Sequence, residues 1–242
     1  MPSKPAPAHS SVVGPGPLLA VVVLLSLLPV AQPAGASEPV AWKLDPVHTR
    51  VMFAVSHAGF SKALGTVSGS DGGLLFDPGD WSGARLVVEV PMTRLDLGDA
   101  DWNRAALAGN LLDGATFPTA RFVSTMVTAR DPGHAEVCGE LTLHGTTHPL
   151  CMDVTVNAVE RHPMPPFRQT AGFSATATLS RSDYGVDAWS SMIGDEVELR
   201  IEAEATRASR EFGERLLQTT AAEATLEPTL SEPDSQPEPP TP

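Results

Sequence analysis

The sequence predicts an all-β fold of about eight antiparallel strands and one short helix. Apolar and polar residues alternate along most of the chain, and turn clusters containing Gly or Pro separate the alternating segments. The contrast is clearest over residues 195–205, where Val197, Leu199 and Ile201 alternate with charged residues. Because a closed barrel removes exposed sheet edges, we expect a barrel, and a two-sheet sandwich is the alternative that the pattern leaves open.

The other strands show the same alternation with less contrast. In chain order they are predicted at residues 50–57, 73–76, 85–90, 121–129, 136–143, 150–159 and 172–179. Turn clusters such as residues 70–73 (SDGG) and 131–133 (DPG) lie between them. Residues 99–112 are the exception, because Trp102, Ala105 and Ala106 recur at helical spacing and predict the one short helix.

The first 36 residues are predicted to be a secretory signal peptide. Residues 18–30 (LLAVVVLLSLLPV) form an apolar run of 13 residues, whereas a membrane-spanning helix needs about 20. Ala34-Gly35-Ala36 follows as an A-x-A cleavage site, and an uncleaved anchor is the alternative. We therefore expect an exported protein without a transmembrane segment in its mature chain, located in a periplasm or, alternatively, in the extracellular medium.

The segment from 207 to 242 is predicted to be a disordered acidic tail. It is rich in Pro, Glu and Thr, and Phe212 is its only aromatic residue, so it has little apolar surface to offset the entropy of ordering. A short helix over residues 209–218 is the one ordered element considered there. Residues 37–206 remain as a single domain that is long enough to bury a core.

The charge balance excludes one class of partner. The chain has 16 Lys and Arg against 29 Asp and Glu, which gives a formal net charge of −13. Binding to a phosphate backbone needs a basic face that releases counterions. Nucleic acid is therefore not an expected partner.

The two cysteines are predicted to form a cross-strand disulfide. His144-Gly145 fits a two-residue hairpin turn, in which Gly145 supplies a positive φ. Counting outward from this turn places Cys138 opposite Cys151 in a non-hydrogen-bonded pair, where Cα atoms lie about 4.5 Å apart, which is within disulfide reach. An oxidising compartment favours the bond, and a pair of free thiols is the alternative.

Four motifs follow one another across residues 42–205. They read WKLDPVHTRVMF (42–53) with His57 and Gly65 after it, FPTARFVST (117–125), GELTLHGTTHP (139–149) and LSRSDYG (179–185). This ordered set resembles the YceI-like family of exported, extended-lipocalin barrels that bind polyisoprenoid or other amphiphilic chains. The resemblance implies a lipocalin-like barrel that binds a lipid. Two positions depart from the family pattern, because Val67 and the pair Leu111-Leu112 stand where aromatic residues are expected.

No catalytic or metal-binding constellation is expected, and the protein is predicted not to be an enzyme. The chain has no G-x-S-x-G nucleophile elbow. Asp96, Asp99 and Asp101 lack the central Gly and terminal Glu of a calcium loop and fit helix-start carboxylates better. An enzyme that acts on a lipid or redox substrate, with His48 or His57 as acid or base, is the remaining alternative. No cofactor is expected apart from a bound isoprenoid or quinone-type lipid.

Side chains alternate between the two faces of a strand, and this strand parity predicts which of them point into the barrel. Ala175 and Ala177 share one face with Phe173 and Leu179, and such small side chains cannot fill a wide barrel, so an elongated apolar chain could occupy the space. His57 and Arg181 could orient a ligand head group, although Arg181 with Asp183 could equally lock a turn. The candidate ligand-binding residues are Phe53, Val55, His57, Leu86, Val88, Phe122, Leu141, Met152, Phe173, Ala175, Ala177, Leu179, Arg181, Tyr184 and Leu199.

These observations predict a non-enzymatic carrier. It would bind and carry or sequester a long-chain amphiphile, either a polyisoprenoid or a quinone-like lipid, inside the barrel. The alternative is an exported interaction or structural module with a filled core and no ligand. An internal cavity would distinguish the first function from the second, and whether a membrane or a redox protein supplies or receives the ligand is left open.

Overall fold

Eleven strands and two helices make up the part of the chain that the computed structural model describes, residues 40–224. The signal peptide predicted at 1–36 and the end of the tail, 225–242, lie outside these residues. The elements are β1 (Val40–Leu44), β2 (Arg50–His57), β3 (Ser61–Ser68), β4 (Asp71–Asp77), β5 (Asp80–Pro91), β6 (Leu95–Asp96), α1 (Ala100–Ala106), β7 (Thr119–Asp131), β8 (His134–Leu143), β9 (Thr146–Arg161), β10 (Gln169–Ser180), β11 (Ile193–Arg207) and α2 (Arg210–Ala224).

Eight of these strands close into an antiparallel barrel. The ring runs β1–β4–β5–β7–β8–β9–β10–β11, and β1 closes it by pairing with β11, with Leu44 opposite Ala205. The predicted barrel is therefore confirmed, and the two-sheet sandwich is wrong. Each strand that was predicted lies within one of the observed strands.

The remaining strands extend the wall beside the ring. β11 is long enough to pair with β1 near its end and with β2 earlier, where Glu202 lies opposite Arg50. β2 then pairs with β3, and β3 pairs with the short β6. Gly65 of β3 is required by this packing, because a Cβ atom there would collide with the ring of Phe53 on β2.

The helix predicted over residues 99–112 is present but shorter. Asp99 caps α1, since its carboxylate accepts from the backbone N–H groups of Asp101 and Trp102. The helix ends at Ala106, and residues 107–117 form turns closed by bonds such as that from Phe117 N to Asp113 O (2.8 Å). Gly109 and Asn110 follow within four residues of the helix end, and their poor helix propensity explains why the helix stops early.

The prediction of a disordered tail from residue 207 is wrong for its first part. β11 continues to Arg207, and α2 follows, which includes most of the short helix considered at 209–218. Phe212 and Leu216 lie four residues apart on one face of α2, and they pack on the outer surface of the barrel. The outer-wall residues they cover are Ala41, Leu75, Val87 and Val123. The overall composition of the tail concealed this local apolar spacing.

The predicted disulfide is confirmed, so the free-thiol alternative is wrong. Cys138 and Cys151 are bonded across β8 and β9 with a Cα–Cα distance of 4.0 Å. The turn between these strands has positive φ values at both His144 (51°) and Gly145 (75°), as a two-residue hairpin of type I′ requires. The bridge therefore ties together two neighbouring strands of the barrel wall.

Candidate ligand cavity

The barrel interior contains an apolar cavity of about 470 Å³. Its walls are the inward-facing side chains of the ring strands and of β2 and β3, together with residues from α1 and the turns after it. This volume is in the range of small-molecule binding sites. The interior is therefore hollow, and the alternative of a filled core does not describe this barrel.

The cavity is long. On β11 its lining runs from Ile193 to Ala203, about ten residues, which at roughly 3.3 Å per residue and a usual strand tilt corresponds to about 25 Å along the barrel axis. The cavity follows the barrel axis over this length, which suits an extended hydrocarbon chain.

The structure brings most of the predicted ligand-binding residues to this cavity. Those that line it are Phe53, Val55, His57, Leu86, Val88, Phe122, Leu141, Met152, Phe173, Ala175, Leu179, Arg181 and Leu199. Ala177 and Tyr184 do not line it. Ala177 instead packs beside the buried cluster that includes Met152 and Ala175.

Tyr184 is a buried anchor rather than a lining residue. Its side chain is almost fully buried and packs edge-on against the ring of His148, with centroids 5.4 Å apart. The His144 Nδ1 atom donates to the Tyr184 carbonyl oxygen over 3.0 Å. Burial, followed by the nearby charges of Asp183 and Glu140, raises the pKa of Tyr184 to about 12. Tyr184 lies in a turn beyond the end of β10, where strand parity no longer predicts the direction of a side chain.

Arg181 lines the cavity, but most of its N–H groups bind the chain itself. Its Nε donates to Gly194 O (2.9 Å), its Nη1 to Ala188 O (3.0 Å) and Val186 O, and its Nη2 to Ile193 O (3.0 Å). The guanidinium therefore holds the loop of residues 186–194 in place. This arrangement favours the turn-locking role over binding of a head group.

Aromatic rings close one end of the cavity. Phe76 packs edge-on against both Trp81 and Phe173, with centroid distances of 4.8 and 5.5 Å. The indole N–H of Trp42 donates to Phe76 O over 3.1 Å. We call Phe76, Trp81 and Phe173 the floor cluster. Sequence reasoning missed Phe76 and Trp81, although both lie in or beside predicted strands and their size was a signal for the core.

The opposite end of the cavity is more exposed and is covered in part by α1. His57 lies there, at the end of β2, and its ring centroid is 5.5 Å from that of the half-exposed Trp102. Val67, Leu111 and Leu112, the residues that depart from the family pattern, also line the cavity. Smaller aliphatic side chains at these positions leave more room in the channel than aromatic rings would.

The histidines proposed for acid–base chemistry do not come together. His48 precedes β2 and His57 ends it, and Nδ1 of His48 lies 3.0 Å from the Asp45 carboxylate in an exposed turn. This hydrogen bond, with the charges of Asp45 and Glu204, raises the pKa of His48.

Within residues 40–219, no three His, Cys, Asp or Glu side chains are grouped so that they could hold a metal ion. None of the helices that the structure describes is long and apolar enough to cross a membrane.

Comparison with known proteins places this barrel in a family. Residues 42–205 match the YceI-like domain. A UPF0312 protein of Pseudomonas savastanoi pv. phaseolicola is 34% identical over 168 residues, which cover 69% of this chain and 86% of that protein.

Solved structures show the same fold. BcnA of Burkholderia cenocepacia has a TM-score of 0.60 at 24% identity, with 67% of this chain and 99% of that chain covered. A polyisoprenoid binding domain from Saccharophagus degradans, implicated in plant cell wall breakdown, has a TM-score of 0.51 at 14% identity. The match covers 70% of this chain and 99% of that chain. Because the family match spans nearly the whole barrel, from β1 to β11, the chain belongs to the YceI-like family.

Proposed function

We propose that this protein binds one long-chain amphiphile, a polyisoprenoid or a quinone-like lipid, and carries or sequesters it without chemical change. The apolar channel, about 470 Å³ in volume and closed at one end by the floor cluster, is the observation that carries this proposal. A domain of the same fold is described as polyisoprenoid-binding, which supports the proposed ligand class. The sequence of residues 1–36 supports an exported carrier, in a periplasm or in the medium.

The channel selects a ligand by length rather than by polar contacts. Each methylene that leaves water for the cavity stabilises the complex by at most about 0.8 kcal/mol, or about fourfold in Kd. A short chain would leave part of the channel unfilled, whereas a long chain would fill it to the floor cluster. We therefore expect affinity to rise with chain length and then to level off.

Two measurements test this function. Native mass spectrometry of freshly purified full-length protein should show a co-purifying lipid, and extraction with solvent should remove that mass. The delipidated protein should then bind saturated fatty acids of increasing length, measured by displacement of cis-parinaric acid, with Kd falling up to fourfold per methylene before the plateau. Protein that carries no lipid and gives no length dependence would rule out the proposed function.

A further inference from the structure

Large apolar side chains are exposed around the open end of the barrel. Phe60 is 94% exposed, Trp189 62% and Met192 49%, and Trp102 is also exposed. We call these four residues the rim. Grouped apolar exposure of this kind marks interaction sites more often than ordinary protein surface.

The rim residues are brought together around His57, which lines the cavity. The Phe60 N–H donates to His57 O over 3.1 Å, and the Trp102 ring lies against the His57 ring. The neighbouring Ala58 N–H donates to Met192 O, which joins the β2–β3 turn to the loop before β11. The apolar surface of the rim is therefore continuous with the apolar lining of the channel.

The loop that presents Trp189 is held in a fixed shape. The backbone N–H groups of Met192 and Ile193 donate to Trp189 O over 2.7 and 2.8 Å, and Arg181 holds four carbonyl oxygens of the same loop. Trp189 has a φ of 58°, a left-handed conformation that is unfavourable for a bulky residue. Its ring is largely exposed, so burial within the described residues does not offset this strain, and such strain is common at functional positions.

The charges near the rim decide what kind of surface it fits. Asp99 and Asp101 lie shortly before Trp102 in the chain, and Asp187 lies shortly before Trp189. The nearby cations Lys62 and Arg104 already pair with Glu198 and Asp101. An anionic surface would therefore be repelled, whereas an interfacial layer without net charge would accept aromatic and apolar side chains.

We propose that the rim docks the open end of the barrel on a zwitterionic phospholipid bilayer, with Phe60, Trp189 and Met192 inserted into the interfacial layer. This inference goes beyond the proposed function, because it concerns where the barrel binds rather than what it holds. Docking in this orientation would let a lipid pass between bilayer and channel without crossing water.

Co-sedimentation of the mature chain, residues 37–242, with dioleoylphosphatidylcholine vesicles tests the proposal without the apolar run at residues 18–30. We expect the wild type to sediment with the vesicles, and the variant Phe60→Ser/Trp189→Ser/Met192→Ser to bind at least about tenfold more weakly, since each residue buries apolar surface in the layer. Adding dioleoylphosphatidylglycerol to the vesicles should weaken wild-type binding at low salt. Displacement of cis-parinaric acid should be unchanged in the variant, which separates loss of docking from loss of ligand binding.

The opposite end of the barrel supplies a matched control. Met164 and Phe167 are 62% and 52% exposed in the loop between β9 and β10, so Met164→Ser/Phe167→Ser removes similar exposed groups far from the rim and should leave vesicle binding unchanged. If the triple variant does not fold, the single variant Phe60→Ser is tested for vesicle binding instead, because the exposed Phe60 ring adds nothing to the core. The proposal is overturned if wild type does not bind the vesicles, if rim and control variants bind alike, or if ultracentrifugation shows a dimer that the rim variant dissociates.

Discussion

Replacing Ala175 with phenylalanine tests whether the channel holds the ligand. Ala175 lies on β10 between Val154 of β9 and Ile201 of β11, and all three side chains line the cavity. The substitution places a phenyl ring among these lining side chains, inside the channel. We expect Ala175→Phe to block the channel near the middle of the wall.

The size of the effect follows from the carbons displaced. Six ring carbons would exclude about as many chain carbons, and at about 0.8 kcal/mol each this is an upper limit of about 5 kcal/mol, or more than a thousandfold in Kd. Overpacking a filled core typically costs about 1–3 kcal/mol of stability. Because Ala175 faces open space, we expect the loss of stability to lie at or below the low end of that range.

The assay compares Ala175→Phe with Thr176→Phe. Thr176 is the next residue on β10 and is exposed on the outer face, so it adds the same ring outside the barrel. Titration with cis-parinaric acid should show lost binding for Ala175→Phe and wild-type binding for Thr176→Phe, while circular dichroism shows both folded. If a folded Ala175→Phe protein binds within threefold of wild type, the ligand does not occupy this channel.

Three further predictions concern the supports of the barrel. The variant Cys138→Ser/Cys151→Ser should lose about 3 kcal/mol of unfolding free energy in urea, since the bridge spans a sequence separation of 13. A loss below about 1 kcal/mol would contradict this prediction. The unreduced, unfolded wild type should also show no free thiol. Tyr184 is the single tyrosine of the chain, so the near-ultraviolet absorbance of tyrosinate should titrate with a midpoint near 12. Because the folded pKa is raised above the unfolded value, stability should not depend on this group below about pH 10 and should fall from about pH 10 to 12, whereas a midpoint near 10 would show an exposed phenol. Arg181→Met should lower the free energy of unfolding in urea by at least about 3 kcal/mol, since several carbonyl groups lose a charged donor. Arg181→Lys should recover only part of that loss. Equal stabilities of the wild type and the two variants would refute the role of the guanidinium.

The strands predicted from sequence are those with water on one side and the interior on the other. β11 alternates cleanly because its charged residues face solvent while Val197, Leu199 and Ile201 face the cavity. β1 was missed because it has apolar neighbours on both faces: Trp42 packs inside, and Ala41 lies under α2. Burial on both faces removes the alternation on which the prediction depends.

For the candidate site, too, the sequence predicted the residues on regular strands and not those in turns. Parity identified the lining side chains of the strands, since an inward position stays inward along a regular strand. It could not identify the role of Arg181 or Tyr184, because both lie in a turn after β10, where hydrogen bonds to other segments set the side-chain direction. The volume of the channel depends on all the ring strands at once, so local pattern could not predict it.

The packing of α2 has a practical consequence for anyone who shortens this protein. A truncation at residue 206 looks reasonable from composition. It would, however, expose the apolar strip on the outside of β1, β4, β5 and β7 against which Phe212 and Leu216 pack. The same strip borders the short β1–β11 seam that completes the ring. Such a fragment would be prone to aggregate and to open at that seam, so expression work should retain the chain at least through Ala224, the end of α2.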